Sequence, residues 1–194
     1  LADWPRILQS RHRATPADGG FGSSRFSSLT GAFRVLYAAD SFSTAFAEAV
    51  VRDRFEGKTR RFLYRPHLDQ LCVTAISSIR ELALLDMMGA AAYEVGIDTD
   101  ANRARDHASG QALSEAVHAE MADVDGILFN SRLTTGGCVA LYERAFSALS
   151  GTPPIALLQS ALLPAELTRL GITVRRERGF VSWNTRSSVP VRLR

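Results

Sequence analysis

A single carboxylate, Glu48, stands among alanines and apolar residues in the segment AFAEAVV (45–51). At about 100° per residue, one helical face is shared by Phe42, Ala45, Phe46, Ala49 and Val50, and Glu48 lies on the flank of that face. The small neighbours leave room for another molecule to approach the carboxylate. The simpler interpretation is an ion pair with Arg52, four residues on, which stabilises a helix by only about 0.2–0.5 kcal/mol.

A predicted strand precedes this helix in the segment FRVLYAA (33–39), whose β-branched and aromatic residues are typical of a buried strand. Asp40 or Ser41 is placed to cap the helix, which we expect to run to about Arg54. Tyr37 comes at the end of the strand, so strand and helix together bring its ring near the carboxylate. The alternative for Tyr37 is an ordinary aromatic residue of the core.

The segment ATPADGGFGSS (14–24) is a loop by composition, with one proline and three glycines. It lacks the lysine of a phosphate-binding P-loop, so a nucleotide triphosphatase is not predicted. No G-x-G-x-x-G pattern opens a helix, so nothing predicts a Rossmann fold either. We interpret this loop as a turn or a lid beside Tyr37 and Glu48.

The composition is that of one globular domain with a basic, arginine-rich surface. The chain has 194 residues, of which 46% are hydrophobic and 22% charged, and its formal charge is +3. Lys58 is the only lysine among 23 basic residues. Arginine matches phosphates and carboxylates two hydrogen bonds at a time, which favours a phosphate ligand, nucleic acid or an acidic partner. The alternative is a GC-rich genome, in which arginine replaces lysine without a functional reason.

Several classes of protein are not predicted. Cys72 and Cys138 lie far apart and form no CxxC pair, which argues against a disulfide framework or a zinc ribbon. The four histidines include no HExxH pair, so we expect no metal site. The start of the sequence does not resemble a signal peptide, and the apolar run LALLDMMGAAAY is too short to span a bilayer. We therefore expect a cytoplasmic protein that does not enter the membrane.

The remaining pattern predicts a mixed α+β fold. A helix is predicted from Ser109, and the segment LLPAELTRLGITV (162–174) suits a short helix that leads into a strand. The segment LALLDM is compatible with strand or helix. Further strands are predicted in FLYRP, QLCVTAI (70–76), VDGILFNSR (124–132) and GGCVALYERAF (136–146). Because strands and helices do not alternate regularly, α+β is favoured over a doubly wound sheet.

Four segments in chain order resemble the RES domain, a family that includes toxins of bacterial type II toxin–antitoxin pairs. These segments are SRHRA (10–14), SRFSS (24–28), VLYAADSFSTAFAEAV (35–50) and VDGILFNSR (124–132). The resemblance covers roughly residues 7–175 of what we expect to be a single domain over 1–194, with 180–194 as a tail. It implies an ADP-ribosyltransferase-like α+β fold, a mixed sheet with flanking helices, and NAD+ as the substrate.

The resemblance also assigns site residues to positions of this chain. Its catalytic positions fall on Glu48, Ser131 and Arg11, and its NAD+-binding positions on Arg25, Tyr37, Arg11 and Ser131. Arg13 lies close enough to be the alternative to Arg11. The segment after Glu48 reads AVVRDRF, where relatives often carry a histidine, so no role of such a histidine transfers to this chain.

These residue types fit the chemistry that the resemblance implies. Cleavage of the nicotinamide–ribose bond builds positive charge on the ribose, which a carboxylate such as Glu48 stabilises in the transition state. Arg11 and Arg25 suit the diphosphate. Tyr37 suits the cationic nicotinamide ring, with a cation–π contribution of roughly 0.5–2 kcal/mol. Ser131 would hydrogen-bond the carboxamide or position Glu48.

The function implied is that of an intracellular toxin which transfers ADP-ribose from NAD+ to a cellular protein, or passes it to water or phosphate. The implied partner is a cognate antitoxin that occludes the active site, for which a basic surface suits an acidic segment. No direct contact with nucleic acid is expected. The alternative from composition alone is a non-catalytic, basic nucleic-acid-binding module, although the cations are scattered and no recognition motif is present.

Overall fold

A computed structural model of the protein describes residues 1–52, 54–55, 58–88 and 107–176. The strands within these ranges are β1 Trp4–Gln9, β2 Val35–Ala39, β3 Arg61–Tyr64, β4 Leu71–Ser78, β5 Leu84–Asp86, β6 Gly126–Asn130, β7 Gly137–Tyr142, β8 Leu149–Gly151, β9 Ile155–Ala156 and β10 Ile172–Arg175. The α-helices are α1 Phe42–Phe46, α2 Arg65–Asp69, α3 Ala108–Glu120 and α4 Leu163–Arg169. The predicted α+β class is confirmed, and the predicted tail over 180–194 lies outside the described residues.

The strands form two larger sheets and one strand pair. The first sheet has the order β1-β4-β8, with β9 also paired to β4, and all of its pairs are antiparallel. The second sheet has the order β2-β7-β6-β5, and only its β5–β6 pair is parallel. Strands β3 and β10 pair in parallel. Strand β1 of the first sheet contacts β2 of the second, so the two larger sheets meet along these strands.

Strand β7 is one of the two interior strands of the second sheet and is buried at every position. A strand that is covered on both faces is expected to be apolar throughout, which is what its sequence GCVALY shows. The side chain of Ile7, on β1, packs against the cluster around Phe26 and also against the cluster around Phe46. One residue of β1 thereby joins the cores on both sides of the contact between the sheets.

The antiparallel pairing of β7 with both neighbours makes β2 and β6 run in the same direction. Their carboxyl ends therefore lie at the same edge of the sheet, about 10 Å apart across the intervening strand. Helix α1 follows β2 at this edge, and Ser131 follows β6. The sheet order thus brings two segments that are distant in sequence to one place.

Helix α1 begins with the serine of the two predicted caps. The side chain of Ser41 accepts a hydrogen bond from the backbone N–H of Thr44 at 3.2 Å, as an N-cap residue does. Asp40 instead accepts the backbone N–H of Gly137, at the start of β7. Ser41 therefore caps the helix, whereas Asp40 hydrogen-bonds to the sheet.

The predicted helix ends earlier than expected and changes type along its length. After Phe46 the chain continues as a π-helical turn, Ala47–Val51, in which the backbone N–H of Arg52 donates to the carbonyl of Ala47 at 2.9 Å. The helix therefore ends at Val51 rather than at about Arg54. Such π turns are rare and are often found at functional sites.

The other predicted elements are largely present. The segment LALLDM contains a strand, β5, and the helix predicted from Ser109 is α3. The strand in FLYRP ends at Tyr64, where the chain turns into α2. Gly171, with a φ of 62°, ends α4 before β10 as predicted. Strand β1 was not predicted, because proline and arginine interrupt its apolar pattern.

Gly126 permits the close approach of β6 to β7. A Cβ atom built at this position would collide with the carbonyl oxygen of Ala140 and lie 2.9 Å from the Cα of Leu141. Both contacts are backbone atoms of a buried strand, which cannot move aside cheaply. We expect Gly126→Ala to lower the free energy of unfolding by about 1–3 kcal/mol, the usual cost of overpacking.

The matched control is Gly20→Ala, because a Cβ at Gly20 meets no atom within 4 Å. Chemical denaturation of both variants and the wild type measures the difference. Equal stability of the Gly126→Ala variant and the wild type would contradict the tight β6–β7 contact.

Candidate active site

A cavity of about 190 Å³ lies where β1, the end of β2 and the helix after it meet. Its wall includes Glu48 and Arg52 from the π turn, Tyr37 from β2 and Arg25 from the preceding loop. Phe129 of β6 and Cys138 of β7 also contribute. The cavity therefore forms at the sheet edge where the carboxyl ends of β2 and β6 lie together.

Both oxygens of the Glu48 carboxylate have a partner. The hydroxyl of Ser131 donates to Oε1 at 2.7 Å, and Nη1 of Arg52 lies 3.5 Å from Oε2. The Glu48 side chain is 22% exposed, so water reaches it only in part. The ion pair with Arg52 predicted from the i,i+4 spacing is present, and the hydrogen bond from Ser131 adds a second restraint across 83 residues of sequence.

The surroundings of Ser131 fix the direction in which its hydroxyl donates. Its oxygen accepts the backbone N–H groups of Leu133 at 3.1 Å and Thr134 at 3.2 Å. Both lone pairs of the hydroxyl are thereby used, so its hydrogen points to Glu48. Of the two roles predicted for Ser131, this geometry favours positioning the carboxylate.

A second link ties the start of α1 to the loop after β6. The hydroxyl of Ser41 donates to Thr44 at 2.9 Å, and the hydroxyls of Thr44 and Thr134 lie 3.1 Å apart. The backbone N–H of Gly136 then donates to Thr134 at 3.2 Å. Helix and loop are therefore joined at two points, one turn apart on the helix, and this limits how far Glu48 can move.

Arg25 is a buried charge at the cavity. It is only 5% exposed, and its guanidinium lies about 6 Å from the ring centres of Phe26 and Phe129. Burial lowers the pKa of Arg25, the charges of Arg52 and Arg132 lower it further, and Glu48 opposes the change. The concentration of arginines around one carboxylate favours a ligand that brings negative charge.

Gly110 of α3 leaves the space that Arg25 occupies. A Cβ at this glycine would lie 2.7 Å from the carbonyl oxygen of Arg25. Helix α3 can therefore pack directly on the loop that carries the arginine. In this way α3, which is remote in sequence, supports the cavity wall.

Tyr37 presents its ring to the cavity and its hydroxyl to the loop before β2. The hydroxyl oxygen accepts the backbone N–H of Phe26 at 3.0 Å and lies 3.4 Å from the hydroxyl of Ser27. Burial raises the pKa of Tyr37 to about 12, so the phenol is neutral at physiological pH. The tyrosine therefore fixes the loop that carries Arg25 as well as lining the cavity.

Arg11 lies outside the lining of this cavity. It is exposed on a short 3-10 helix, Ser10–His12, and its Nε donates to the ring of His12 at 3.1 Å. The alternative, Arg13, is also exposed and also absent from the lining. The catalytic and binding roles assigned to Arg11 by resemblance remain predictions.

The sequence reasoning missed Arg6, which lies on the cavity wall within β1. Its Nη1 donates to the carbonyls of Pro16 at 3.1 Å and Asp18 at 2.7 Å, and this holds the glycine-rich loop against the strand. Burial lowers the pKa of Arg6 to about 10, against the opposing charge of Asp18. An arginine inside the otherwise apolar segment WPRILQ was the available signal.

No three or more His, Cys, Asp or Glu side chains in the described ranges are grouped so as to hold a metal ion. Among the same residues, no helix has the length and apolar character needed to cross a membrane.

Comparison with known proteins identifies the family. A model of the RES domain matches residues 3–162, which include Glu48, Ser131 and the whole second sheet. The chain belongs to the RES domain family. The predicted ADP-ribosyltransferase-like α+β fold of this domain is therefore confirmed, while α4 and β10 lie beyond the matched residues.

A solved structure supports the fold of this RES-domain chain. The crystal structure of the M. tuberculosis MbcT–MbcA toxin–antitoxin complex contains a similar chain, with a TM-score of 0.59 and 20% sequence identity. The match covers 80% of this chain and 84% of that one. A comparison with curated proteins gave no match.

The thiol of Cys138, on the cavity wall, should make stability depend on alkaline pH. Burial raises its pKa from 9.0 to about 12, and the charges of Glu48 and Asp40 add to the effect. Between these values the unfolded chain loses a proton that the folded chain retains, so the folded state loses stability as the pH rises. The contribution is complete below pH 9 and is lost towards pH 12, at about 1.4 kcal/mol per pH unit.

Denaturant unfolding of the wild type and of Cys138→Ala under reducing conditions, between pH 8 and pH 12, tests this expectation. The free energy of unfolding should fall less steeply with pH in the variant. Arg6 and Tyr37 also have shifted pKa values, but both residues are present in both proteins. The difference in slope is therefore due to the thiol of Cys138. Identical slopes would show that Cys138 titrates alike in the folded and unfolded chains.

Proposed function

We propose that this RES-domain chain is the toxin of a toxin–antitoxin pair and that it cleaves the nicotinamide–ribose bond of NAD+. The observation that carries the proposal is the Glu48 carboxylate on the cavity wall, fixed at one oxygen by Ser131 and paired at the other with Arg52. Membership of the RES family and the likeness in fold to a chain of a toxin–antitoxin complex support the same function.

Glu48 stabilises the reacting ribose in this proposal. Departure of nicotinamide leaves positive charge on the ribose, as glycoside cleavage does. A carboxylate held in place before the reaction stabilises this charge without having to reorganise. Ser131 acts through Glu48 by fixing its orientation, since its hydrogen is directed at Oε1.

The rest of the cavity wall suits the rest of NAD+. Arg6 and Arg25 supply positive charge for the diphosphate, and the ring of Tyr37 offers a face for the cationic nicotinamide. The cavity of about 190 Å³ is smaller than the 300–1,000 Å³ typical of sites that enclose a whole drug-sized ligand. NAD+ therefore enters by its nicotinamide end, and its adenosine end lies outside the cavity.

The acceptor of ADP-ribose is either a side chain of a cellular protein or a small nucleophile, water or phosphate. Both outcomes share the first step, which is the loss of nicotinamide next to Glu48. The partner in the proposal is an antitoxin that covers the mouth of the cavity with an acidic segment, matched to the arginines on the wall.

The decisive experiment follows NAD+ labelled in the ADP-ribose part, with and without bacterial lysate. We expect the wild type to release nicotinamide. Labelled protein would identify transfer, and release without labelled protein would identify degradation. Absence of nicotinamide release under every condition would refute NAD+ cleavage.

Glu48→Gln tests the role of the carboxylate. The amide removes the negative charge and keeps the size, so turnover should fall by a factor of about 10² or more while the thermal unfolding temperature changes little. Glu120→Gln, an exposed position on α3, is the matched control and should retain full turnover. Turnover by Glu48→Gln at the wild-type rate would show that a group other than Glu48 stabilises the positive charge on the ribose.

Two further measurements test the proposed toxin function and the alternative function, nucleic-acid binding without catalysis. Expression of the wild type in a bacterial host should arrest growth, and expression of Glu48→Gln should not. Binding to duplex DNA at several salt concentrations tests the nucleic-acid-binding alternative, since phosphate contacts weaken steeply with salt. Salt-dependent binding by a protein that leaves NAD+ intact would favour that alternative.

A further inference from the structure

Outside the cavity lining, His107 contacts the arginine that pairs with the candidate catalytic carboxylate. Its Nε2 lies 2.7 Å from Nη2 of Arg52, and its Nδ1 lies 2.8 Å from the carbonyl oxygen of Ser23. His107 stands immediately before α3, whereas Arg52 ends the π turn, so the contact joins residues 55 apart in sequence. No motif or spacing in the sequence predicts this contact.

The two partners of His107 fix the protonation of its ring. A backbone carbonyl can only accept, so Nδ1 carries the hydrogen and donates to Ser23. A guanidinium can only donate, so Nε2 carries no hydrogen and accepts from Arg52. The contacts are therefore those of a neutral imidazole. A doubly protonated ring would turn an N–H, and a positive charge, towards Arg52.

We propose that His107 is a positioning residue, whose Nε2 accepts a hydrogen bond from Arg52 and thereby holds the Arg52 guanidinium beside Glu48. This inference rests on the proposed NAD+ cleavage. Ser131 fixes one oxygen of Glu48 and Arg52 faces the other, so Arg52 completes the orientation of the carboxylate. A carboxylate restrained at one oxygen only is free to rotate away from the reacting ribose.

The charged groups around His107 include two arginines and the candidate catalytic carboxylate. Arg52 faces the ring directly with Glu48 beyond it, and Arg25 packs against Gly110, three residues further along α3. Without the acceptor at Nε2, the Arg52 guanidinium loses the hydrogen bond that holds it beside Glu48.

The chain contains a second arginine–histidine contact that serves as a matched control. Nη2 of Arg54 lies 2.9 Å from Nε2 of His67, and neither residue lines the cavity. Replacement of His67 removes a contact of the same kind and leaves Glu48 untouched. It therefore separates an effect on Arg52 from a general loss of surface hydrogen bonds.

The kinetic test compares His107→Ala, His107→Gln and His67→Ala in full-length protein. We expect His107→Ala to lower kcat by about 10-fold to 100-fold with a smaller change in KM, because the carboxylate is misplaced and not removed. Glutamine keeps one donor and one acceptor, so His107→Gln should recover most of the kcat at neutral pH. His67→Ala should match the wild type. Failure of His107→Ala to lower kcat would overturn the inference.

The split between the two kinetic constants gives a readout that a purely structural role would not change. His107→Ala should lower kcat more than it changes KM, and His107→Gln should restore kcat because glutamine supplies an acceptor for Arg52 again. Glu48 is present in all of these proteins, so the difference belongs to position 107. Equal kcat values for His107→Ala and His107→Gln would overturn the positioning role.

Failure of the proposed function is distinguishable from failure of this inference. If the wild type releases no nicotinamide at any pH, NAD+ cleavage is refuted, and the contact itself is then judged by NMR of the Arg52 side-chain N–H signal, assigned with Arg52→Lys. His107→Ala should shift that signal and His67→Ala should leave it in place. An Arg52 signal that is unchanged by His107→Ala would overturn the positioning role on its own.

Discussion

The hydrogen bond from Ser131 to Glu48 depends on most of the second sheet being correctly assembled. The two side chains are 83 residues apart in sequence and 2.7 Å apart in space. They meet because β2 and β6 both pair antiparallel with β7 and so deliver their following segments to the same edge. A shift of one residue in either pairing would turn every side chain of that strand to the opposite face. Gly126 opposes such a shift between β6 and β7, because any other residue of β6 in its place would bring a Cβ into collision with the backbone of Ala140 and Leu141.

The positive charges on the cavity wall destabilise the folded protein, and the same charges attract an anionic ligand. Arg25 is buried among aromatic rings, and Arg6 and Arg52 share the same wall with only one carboxylate, Glu48, among the lining residues described. Charges of one sign in a small, partly dry volume repel one another, and each loses hydration. An anionic ligand relieves both costs. A wall of this kind is thus less stable empty than filled, which is a common property of sites selected for binding and not for stability.

Local features of this protein could be predicted and long-range ones could not. The strand ending near Tyr37, the cap at Ser41 and helix α3 follow from residues within a few positions of one another. The grouping of Tyr37, Glu48 and the glycine-rich loop also followed, because they are consecutive. The π turn has no signature in composition, and the contact of His107 with Arg52 depends on how α3 packs. Resemblance supplied Ser131, which contacts Glu48, whereas Arg6 on the cavity wall was not predicted and the roles given to Arg11 stay predictions.

The π turn makes the spacing between Glu48 and Arg52 a property of chain length as well as of residue type. The turn holds one more residue than an α-helical turn would, so a deletion of one residue between them returns the segment to ordinary α-helical geometry. Glu48 and the arginine would then stand three residues apart, a spacing at which two side chains still lie on the same face of an α-helix. The ion pair therefore does not depend on the extra residue of the turn. In the divergence of related chains, the loss of one residue within this turn is expected to preserve the pair, whereas replacement of Glu48 or of Arg52 removes it.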